Sequence, residues 1–277
     1  MIVYLNGSFL PREEAKISPD DRGFLFADAI YEVVRFYKGR PFHMGEHLDR
    51  MREGLTGLRI DASPDFYPEV ARRLLEANDL LDHDAIVYVQ VSRGAAPRAH
   101  PFPPPGTLPT IYAFARRSDP PPPPEGGRAI LLPDERWSRC DIKSVMLLPN
   151  VLAAQQAREA GAMDAILVRD GLALEGTKAN LFLASGGVVR TSPNGPRILP
   201  GVTRAAAIAA ARDLGIVVEE RAFTVEEMFA ADEVFFASTS LFTCSVVEIA
   251  GRPIGGGVAG PIAGRLREAL YSDFTRG

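Results

Sequence analysis

Five consecutive prolines, Pro120 to Pro124, stand near the midpoint of the chain. Proline fixes φ and has no N–H, so such a run can join neither a helix interior nor a strand ladder. It is extended and semi-rigid. A chain of 277 residues interrupted in this way reads as two domains. The expected division is a small N-terminal domain over residues 1–118, a proline-rich linker over 119–125 and a larger C-terminal domain over 126–277. Polyproline as a ligand for an SH3-type partner is the weaker reading at a domain midpoint.

Strand and helix signals are mixed on both sides of the break, without regular βα alternation. Asn6-Gly7 after Ile2–Leu5 is a hairpin signal. Residues 30–37 alternate as a strand, with Tyr31, Val33 and Arg35 on one face and Ile30, Val34 and Phe36 on the other; Glu32 breaks the second face. Residues 45–58 have helical periodicity, with a stripe of Leu48, Met51, Arg52 and Leu55. Arg50 lies off that stripe, four residues after Glu46, as an exposed helical pair would. Residues 85–93 and 110–116 read as strands, joined by a loop from Gly94 to Pro105 that displays Arg98 and His100 on a stiffened backbone. Beyond the linker come a helix over 147–160 ended by Gly161, a hairpin turn at Arg169-Asp170-Gly171 and an alanine-rich helix over 204–214. Thr203 is the expected N-cap of that last helix, and its nearly all-round apolar character predicts burial. Thr224 to Glu227 is a capping box, and a final helix is expected over about 260–271. Tight turns between many strands predict an α+β fold with largely antiparallel sheets.

Composition excludes more than it assigns. Lys and Arg number 31 against 35 Asp and Glu, a net charge of −4 without blocks of one sign, so nothing points to nucleic acid. No apolar run reaches the length of a membrane span, and the start lacks a signal-peptide core. Cys140 and Cys244 make no disulfide framework, and four scattered histidines offer no metal spacing. The expected location is cytoplasmic.

Three features could carry chemistry. Lys143 sits in Arg139-Cys140-Asp141-Ile142-Lys143-Ser144, ahead of the apolar run Val145-Met146-Leu147-Leu148 that reads as buried. Lysine is costly to bury while charged, and a neutral amine can form a Schiff base with an aldehyde. The alternative is a surface lysine paired with Asp141. Second, Gly201-Val202-Thr203 at a helix start and Ser238-Thr239 at a strand end could cradle a phosphate; plain capping and an ordinary turn are the alternatives. Third, Glu175 at a strand end could hold a proton on a pyridine-type nitrogen, or be a solvated turn residue. Amine, phosphate cradle and acid together are what pyridoxal phosphate requires, as one reading among several.

The motifs DRGFLFADAIYEVVRFY (21–37), EHLDR (46–50), SRGAAPRAH (92–100), RCDIKS (139–144), LEGTKANLF (174–182), GVTR (201–204) and FFASTS (235–240) recur at matched separations. With them the chain resembles the class IV pyridoxal-phosphate aminotransferases essentially end to end, and within them the bacterial D-amino acid transaminases. The resemblance implies a two-domain fold type IV architecture, with a smaller N-terminal α/β domain and a C-terminal domain built on an antiparallel-rich sheet or barrel. It implies pyridoxal 5′-phosphate as cofactor, Lys143 as the Schiff-base lysine and acid/base, and Glu175 as the partner of the pyridine nitrogen. Arg50, Val202, Thr203, Ser238 and Thr239 are implied as the phosphate site, and Tyr31, Arg98 and His100 as the trap for the substrate carboxylate. It also implies a homodimer, and ping-pong transfer of an amino group from a D-amino acid to a 2-oxo acid such as 2-oxoglutarate or pyruvate.

The chain departs from the family pattern at Thr177-Lys178-Ala179 and Ser240-Leu241-Phe242. Lys178 is either a second cation at the substrate or a solvated side chain. Rival readings on the same fold are a branched-chain L-amino acid or R-selective amine transaminase and an aminodeoxychorismate lyase. A cofactor-free scaffold is the rival of another class. The Pro97-Arg98-Ala99-His100 loop favours transamination of D-amino acids, and Lys143, Glu175 and Arg50 together oppose the scaffold.

Overall fold

The structure, a computed structural model, describes residues 1–118 and 125–276. All but the last residue of the expected linker at 119–125 lies outside the described residues. Two compact units are present: one holds residues 1–118 and Ile142–Met146, the other residues 125–141 and Leu147–Arg276.

The first unit runs β1 (Ile2–Leu5), β2 (Ser8–Pro11), α1 (Arg22–Phe26), β3 (Ala29–Tyr37), β4 (Arg40–Pro41), α2 (Met44–Leu58), α3 (Tyr67–Ala77), β5 (Asp84–Ser92) and β6 (Thr110–Arg117). Its strands form one antiparallel sheet in the order β2-β1-β6-β5-β3-β4. Asn6 and Gly7 both take positive φ, 47° and 94°, as the expected hairpin requires. Along β3 the residues Ile30, Glu32, Val34 and Phe36 are buried, while Tyr31 and Val33 are half-exposed. The broken alternation therefore conceals a buried carboxylate.

The inward face of α2 is His47, Arg50, Met51, Gly54 and Leu55, rotated from the expected stripe: Leu48 is half-buried and Arg52 is exposed. The rotation follows from chemistry that periodicity does not see. Arg50 can turn inward because a carboxylate waits there, and Gly54 lets the helix approach, since a Cβ would stand 3.1 Å from Ile30 Cγ2. Arg50 is thus not the exposed partner of Glu46, which instead meets His43 Nδ1 at 2.9 Å.

The second unit comprises β7 (Gly127–Pro133), α4 (Leu148–Glu159), β8 (Asp164–Arg169), β9 (Leu172–Gly176), β10 (Asn180–Ser185), β11 (Val188–Thr191), α5 (Val202–Asp213), β12 (Val217–Glu220), β13 (Phe223–Thr224), α6 (Val225–Phe229), β14 (Glu233–Ser238), β15 (Phe242–Ile249), β16 (Arg252–Pro253) and α7 (Pro261–Arg276). The strand path is β12-β11-β10-β14-β15-β7-β8-β9-β13, and a further pairing of β9 with β10 closes six of these strands into a barrel. Closure occurs at the pair Glu175–Asn180. Most pairs are antiparallel; β7 runs parallel to β8 and β15, and β11 to β12. Leu181, Leu183, Phe223, Val234, Phe236 and Ile249 lie in its core, each side chain worth roughly 1.5–3 kcal/mol on burial.

Four expectations change here. The N-cap of α5 is Gly201, and Thr203 is the second residue of the helix rather than its cap. Ala205 and Ala209 leave one exposed strip on that helix, so it is not buried all round. The run 145–148 is not buried: Met146 is 40% and Leu148 67% exposed, and Val151 and Leu152 on α4 are exposed beside it, because α4 buries the small Ala153 and Ala157 instead. The last helix continues well past Tyr271, to Arg276, with Phe274 packed on Phe242 at 5.4 Å. The capping box forms as expected, with Glu227 N–H on Thr224 Oγ1 at 3.2 Å.

Candidate active site

In the first unit, Ile142–Met146 pairs with the start of β3. Tyr31 N donates to Lys143 O at 3.0 Å, Val145 N to Ala29 O at 3.0 Å, and Ile30 bridges Ser144. The half-buried Lys143 therefore has its backbone held on both sides, and its Nζ lies 4.3 Å from the centre of the Tyr31 ring. Asp141 is taken by Arg139, at 2.8 Å, so the surface pairing of Lys143 with Asp141 does not form. Tyr31 stacks on Tyr88 at 5.7 Å.

On the inward face of β3, Glu32 receives Arg50 Nε at 2.9 Å and Nη2 at 2.6 Å, with His47 Nδ1 at 3.2 Å. Burial alone would push the Glu32 carboxyl up, but Arg50 and His47 outweigh it and hold the group well below its usual range. Burial lowers His47, against the opposing pull of Glu32, and the charge of Lys143 is felt at His47 as well. Lys143, Tyr31 and Arg50 are thereby gathered at the start of one strand.

Arg98 and His100 are exposed and form another group, against the Phe26 ring at 5.2 Å and 5.6 Å. Their loop is tied from below by Arg22, which is buried. Arg22 Nη1 donates to Ala99 O at 2.7 Å and to Pro101 O at 3.3 Å, and Nη2 to His100 O at 3.4 Å. Asp28 fixes Arg22 through Nε at 2.8 Å and also holds Arg93, whose guanidinium in turn closes the end of α2 on Leu58 O and Arg59 O.

In the second unit the buried Glu175 lies at the barrel closure. It pairs with Arg136 Nη1, accepts Asn180 Nδ2 at 3.0 Å, and takes Leu199 N–H at 3.2 Å. Burial raises its pKa, with Arg136 pulling the other way. Arg136 is itself gripped by Asp134, at 2.8 Å. Asn180 also donates to Leu199 O at 2.9 Å, and its Oδ1 occupies the space that a side chain at position 201 would need. Only glycine fits at this cap. Because Gly201 brings no side chain, the leading N–H groups of α5 carry no side-chain cap. Ala237 pairs with Asn180 across the sheet, so Ser238 and Thr239, both half-buried, follow at the same end of the barrel. The structure thus brings Glu175, Val202, Thr203, Ser238 and Thr239 together around Asn180.

Lys178 is exposed on the turn after β9, while Thr177 is buried beside it, with Oγ1 on Asp164 Oδ1 at 2.6 Å. Phe242 is buried against Tyr271 and Phe274 at a φ of 53°, so the departure at 240–242 is built into the packing of α7. Sequence reasoning missed Arg136, Asn180, His47 and Arg22. For Glu32 a signal existed, the charge on an apolar strand face; the others carry no local mark, because what they position lies across the fold, as Arg136 meets Glu175, Asn180 meets Leu199, and Arg22 meets the 99–101 carbonyls.

These groups fit pyridoxal 5′-phosphate by their chemistry. A positioned amine, a buried ionisable carboxylate, and an uncapped helix start with hydroxyls near it match an aldehyde, a ring nitrogen and a phosphate.

The model of the amino-transferase class IV family matches residues 29–249. The chain is 39% identical to a D-alanine aminotransferase of Bacillus licheniformis, over 99% of this chain and 97% of that one. It is 38% identical to the D-alanine aminotransferase of Staphylococcus aureus (strain MSSA476), over 97% and 96%. Among solved structures, a branched-chain aminotransferase from Thermoproteus uzoniensis with norvaline has a TM-score of 0.89 at 25% identity, over 100% and 95% of the two chains. A T.th. branched-chain amino acid aminotransferase complexed with N-(5′-phosphopyridoxyl)-L-glutamate has a TM-score of 0.88 at 28% identity, over 100% and 95%. A barrel closed by a buried carboxylate, together with an α+β unit carrying a held lysine, is the fold type IV aminotransferase architecture. The chain belongs to the class IV aminotransferases. It is therefore an aminotransferase, acting on amino acids and 2-oxo acids, and the cofactor of its class is pyridoxal 5′-phosphate.

Proposed function

We propose that the chain transfers the amino group of D-amino acids, D-alanine foremost, to 2-oxo acids such as 2-oxoglutarate. The observation that carries the substrate reading is the 39% identity to a D-alanine aminotransferase over nearly the full length. The exposed Arg98 and His100, on a loop tied down by Arg22, support it: a guanidinium is the side chain suited to grip a carboxylate in a fixed plane. The branched-chain enzymes among the solved structures keep an L-amino acid donor as the second reading.

When bound, pyridoxal 5′-phosphate supplies a carbonyl for the amino group and a ring that draws electrons from the substrate Cα. In our reading Lys143 holds the cofactor between turnovers, and its amine then takes the Cα proton and returns a proton on the cofactor side. Tyr31 orients that amine and, with Arg98 and His100, fixes the substrate carboxylate. Glu175 keeps a proton at the ring nitrogen. Arg50 holds the phosphate with the N–H groups of Val202 and Thr203 and the hydroxyls of Ser238 and Thr239. Lys178 is oriented to solvent and stays outside these roles, in keeping with its exposure.

A homodimer is part of the proposal, supported by the exposed Phe24, Leu108, Leu148 and Val151. A cytoplasmic location accords with two free, buried cysteines. Among the described residues no helix is long and apolar enough to cross a membrane.

Two measurements test this. After borohydride reduction, mass spectrometry should find the pyridoxyl mass on the peptide containing Lys143, and Lys143→Ala should abolish it together with turnover. A donor screen with paired enantiomers should give pyruvate from D-alanine and 2-oxoglutarate; turnover of L-amino acids alone would remove the D-specific reading and leave the family intact.

A further inference from the structure

We propose that Glu32 is the positioning residue of the phosphate site: by holding Nε and Nη2 of Arg50 in a buried carboxylate pair, it sets the guanidinium plane presented to the cofactor's phosphate. The inference rests on the reading of Arg50 as a phosphate ligand.

Three observations carry it. The other inward residues of β3 are Ile30, Val34 and Phe36, so a carboxylate at position 32 runs against the face it occupies. Its side chain is 1% exposed and that of Arg50 8%, and the two meet through both carboxylate oxygens, Oε2 on Nε at 2.9 Å and Oε1 on Nη2 at 2.6 Å. The carboxylate is itself fixed, since Oε1 also accepts Val33 N–H at 3.0 Å and lies 3.2 Å from His47 Nδ1. Nδ1 also lies 3.5 Å from Arg50 Nη2, so the histidine ring faces both members of the pair. Nε2 of His47 is buried without a hydrogen-bond partner among the described residues. His47 and Arg50 stand one helical turn apart on the same face of α2, and Glu32 engages both.

Stability gives no reason for such an arrangement. A buried ion pair seldom outperforms apolar side chains of the same volume, and here it also strands a histidine nitrogen. What the pair does supply is orientation. Arginine grips phosphate through a rigid fork of N–H donors, so its contribution depends on the plane of the fork. With one edge fastened to Glu32, the side chain's several torsions are fixed before the phosphate arrives, and the ordering cost is removed from the binding step.

The test compares affinities of the full-length apo-protein for pyridoxal 5′-phosphate and for pyridoxal, by quenching of protein fluorescence. Their ratio isolates the phosphate. Glu32→Gln should lower that ratio roughly tenfold, the size of one charge-assisted hydrogen bond, while affinity for pyridoxal stays nearly unchanged. A general loosening of the fold would weaken both ligands alike and would overturn the proposal. Glu32→Asp keeps the charge but is one methylene too short to reach both nitrogens in place, so it should also lower the ratio, and it serves if the Gln variant does not fold. A folded variant of either kind with the full ratio overturns the inference. If Arg50→Ala leaves the ratio intact, the phosphate reading of Arg50 fails first. If Arg50→Ala lowers the ratio and the Glu32 variants do not, the assignment of Glu32 alone fails. In the Arg50→Ala background, Glu32→Gln should have no further effect on the ratio.

Discussion

Arg136 works against burial at Glu175. Burial pushes that carboxyl up, and the guanidinium of Arg136 is the principal opposing influence. Replacing it by glutamine leaves the Leu199 N–H as the remaining counterweight to burial, so the pKa of Glu175 should rise further. In the proposed role Glu175 acts as a carboxylate at the ring nitrogen, so the acid limb of the pH–rate profile should move to higher pH. A profile measured for Arg136→Gln across the acid range checks this; an unmoved limb would mean that Arg136 braces the loop without tuning Glu175. Lys143 and Glu175 were readable as candidates from their residue types and settings, and Arg50 only through the family motif at 46–50. Arg136 was not, since an arginine between Glu135 and Trp137 has no local mark of the carboxylate it meets 39 residues later.

At the scale of elements, two short segments do most of the positioning. The Leu199–Thr203 turn couples the barrel closure to the start of α5 through Asn180. A methyl group at Gly201 collides with Asn180 Oδ1, so Gly201→Ala should cost about 1–3 kcal/mol by overpacking. It should also weaken cofactor binding, because Asn180 cannot retreat without releasing Glu175; urea denaturation and cofactor titration measure the two effects. The second segment is the 98–101 loop, whose three carbonyls converge on Arg22. Lysine keeps the charge but not the fork, so Arg22→Lys should raise KM for carboxylate donors about tenfold and change kcat by less than a few-fold. Equal losses in both constants would show that the loop serves the chemical step itself. The elements themselves were readable from turn signals and periodicity. The rotation of α2 and the glycine cap of α5 were not, because each is set by a partner outside the helix: Glu32 for Arg50, and Asn180 for Gly201.

For the whole molecule, the proposed homodimer assigns a second chain to the apolar residues left uncovered by the first. On α4, Leu148, Val151 and Leu152 are 67%, 58% and 52% exposed, while the same helix buries alanines. Sedimentation of the parent protein should give the mass of two chains. Leu152→Glu, placing a charge on that surface, should give the mass of one chain. A variant that remains dimeric would put the interface elsewhere.

The sequence by itself determined the family, the antiparallel character of the sheets and most of the residues proposed to carry chemistry. Those depend on local signals: turn residues, alternating strands, and motifs at fixed separations. Only the tertiary structure decided how those residues are held. The pairing of Ile142–Met146 with β3, the closure of the barrel at Glu175–Asn180 and the buried pair of Glu32 with Arg50 each depend on neighbours that no local pattern announces. The reason is physical. A charge can turn inward only where an opposite charge and its hydrogen bonds are already in place, and that condition is met in space, not along the sequence.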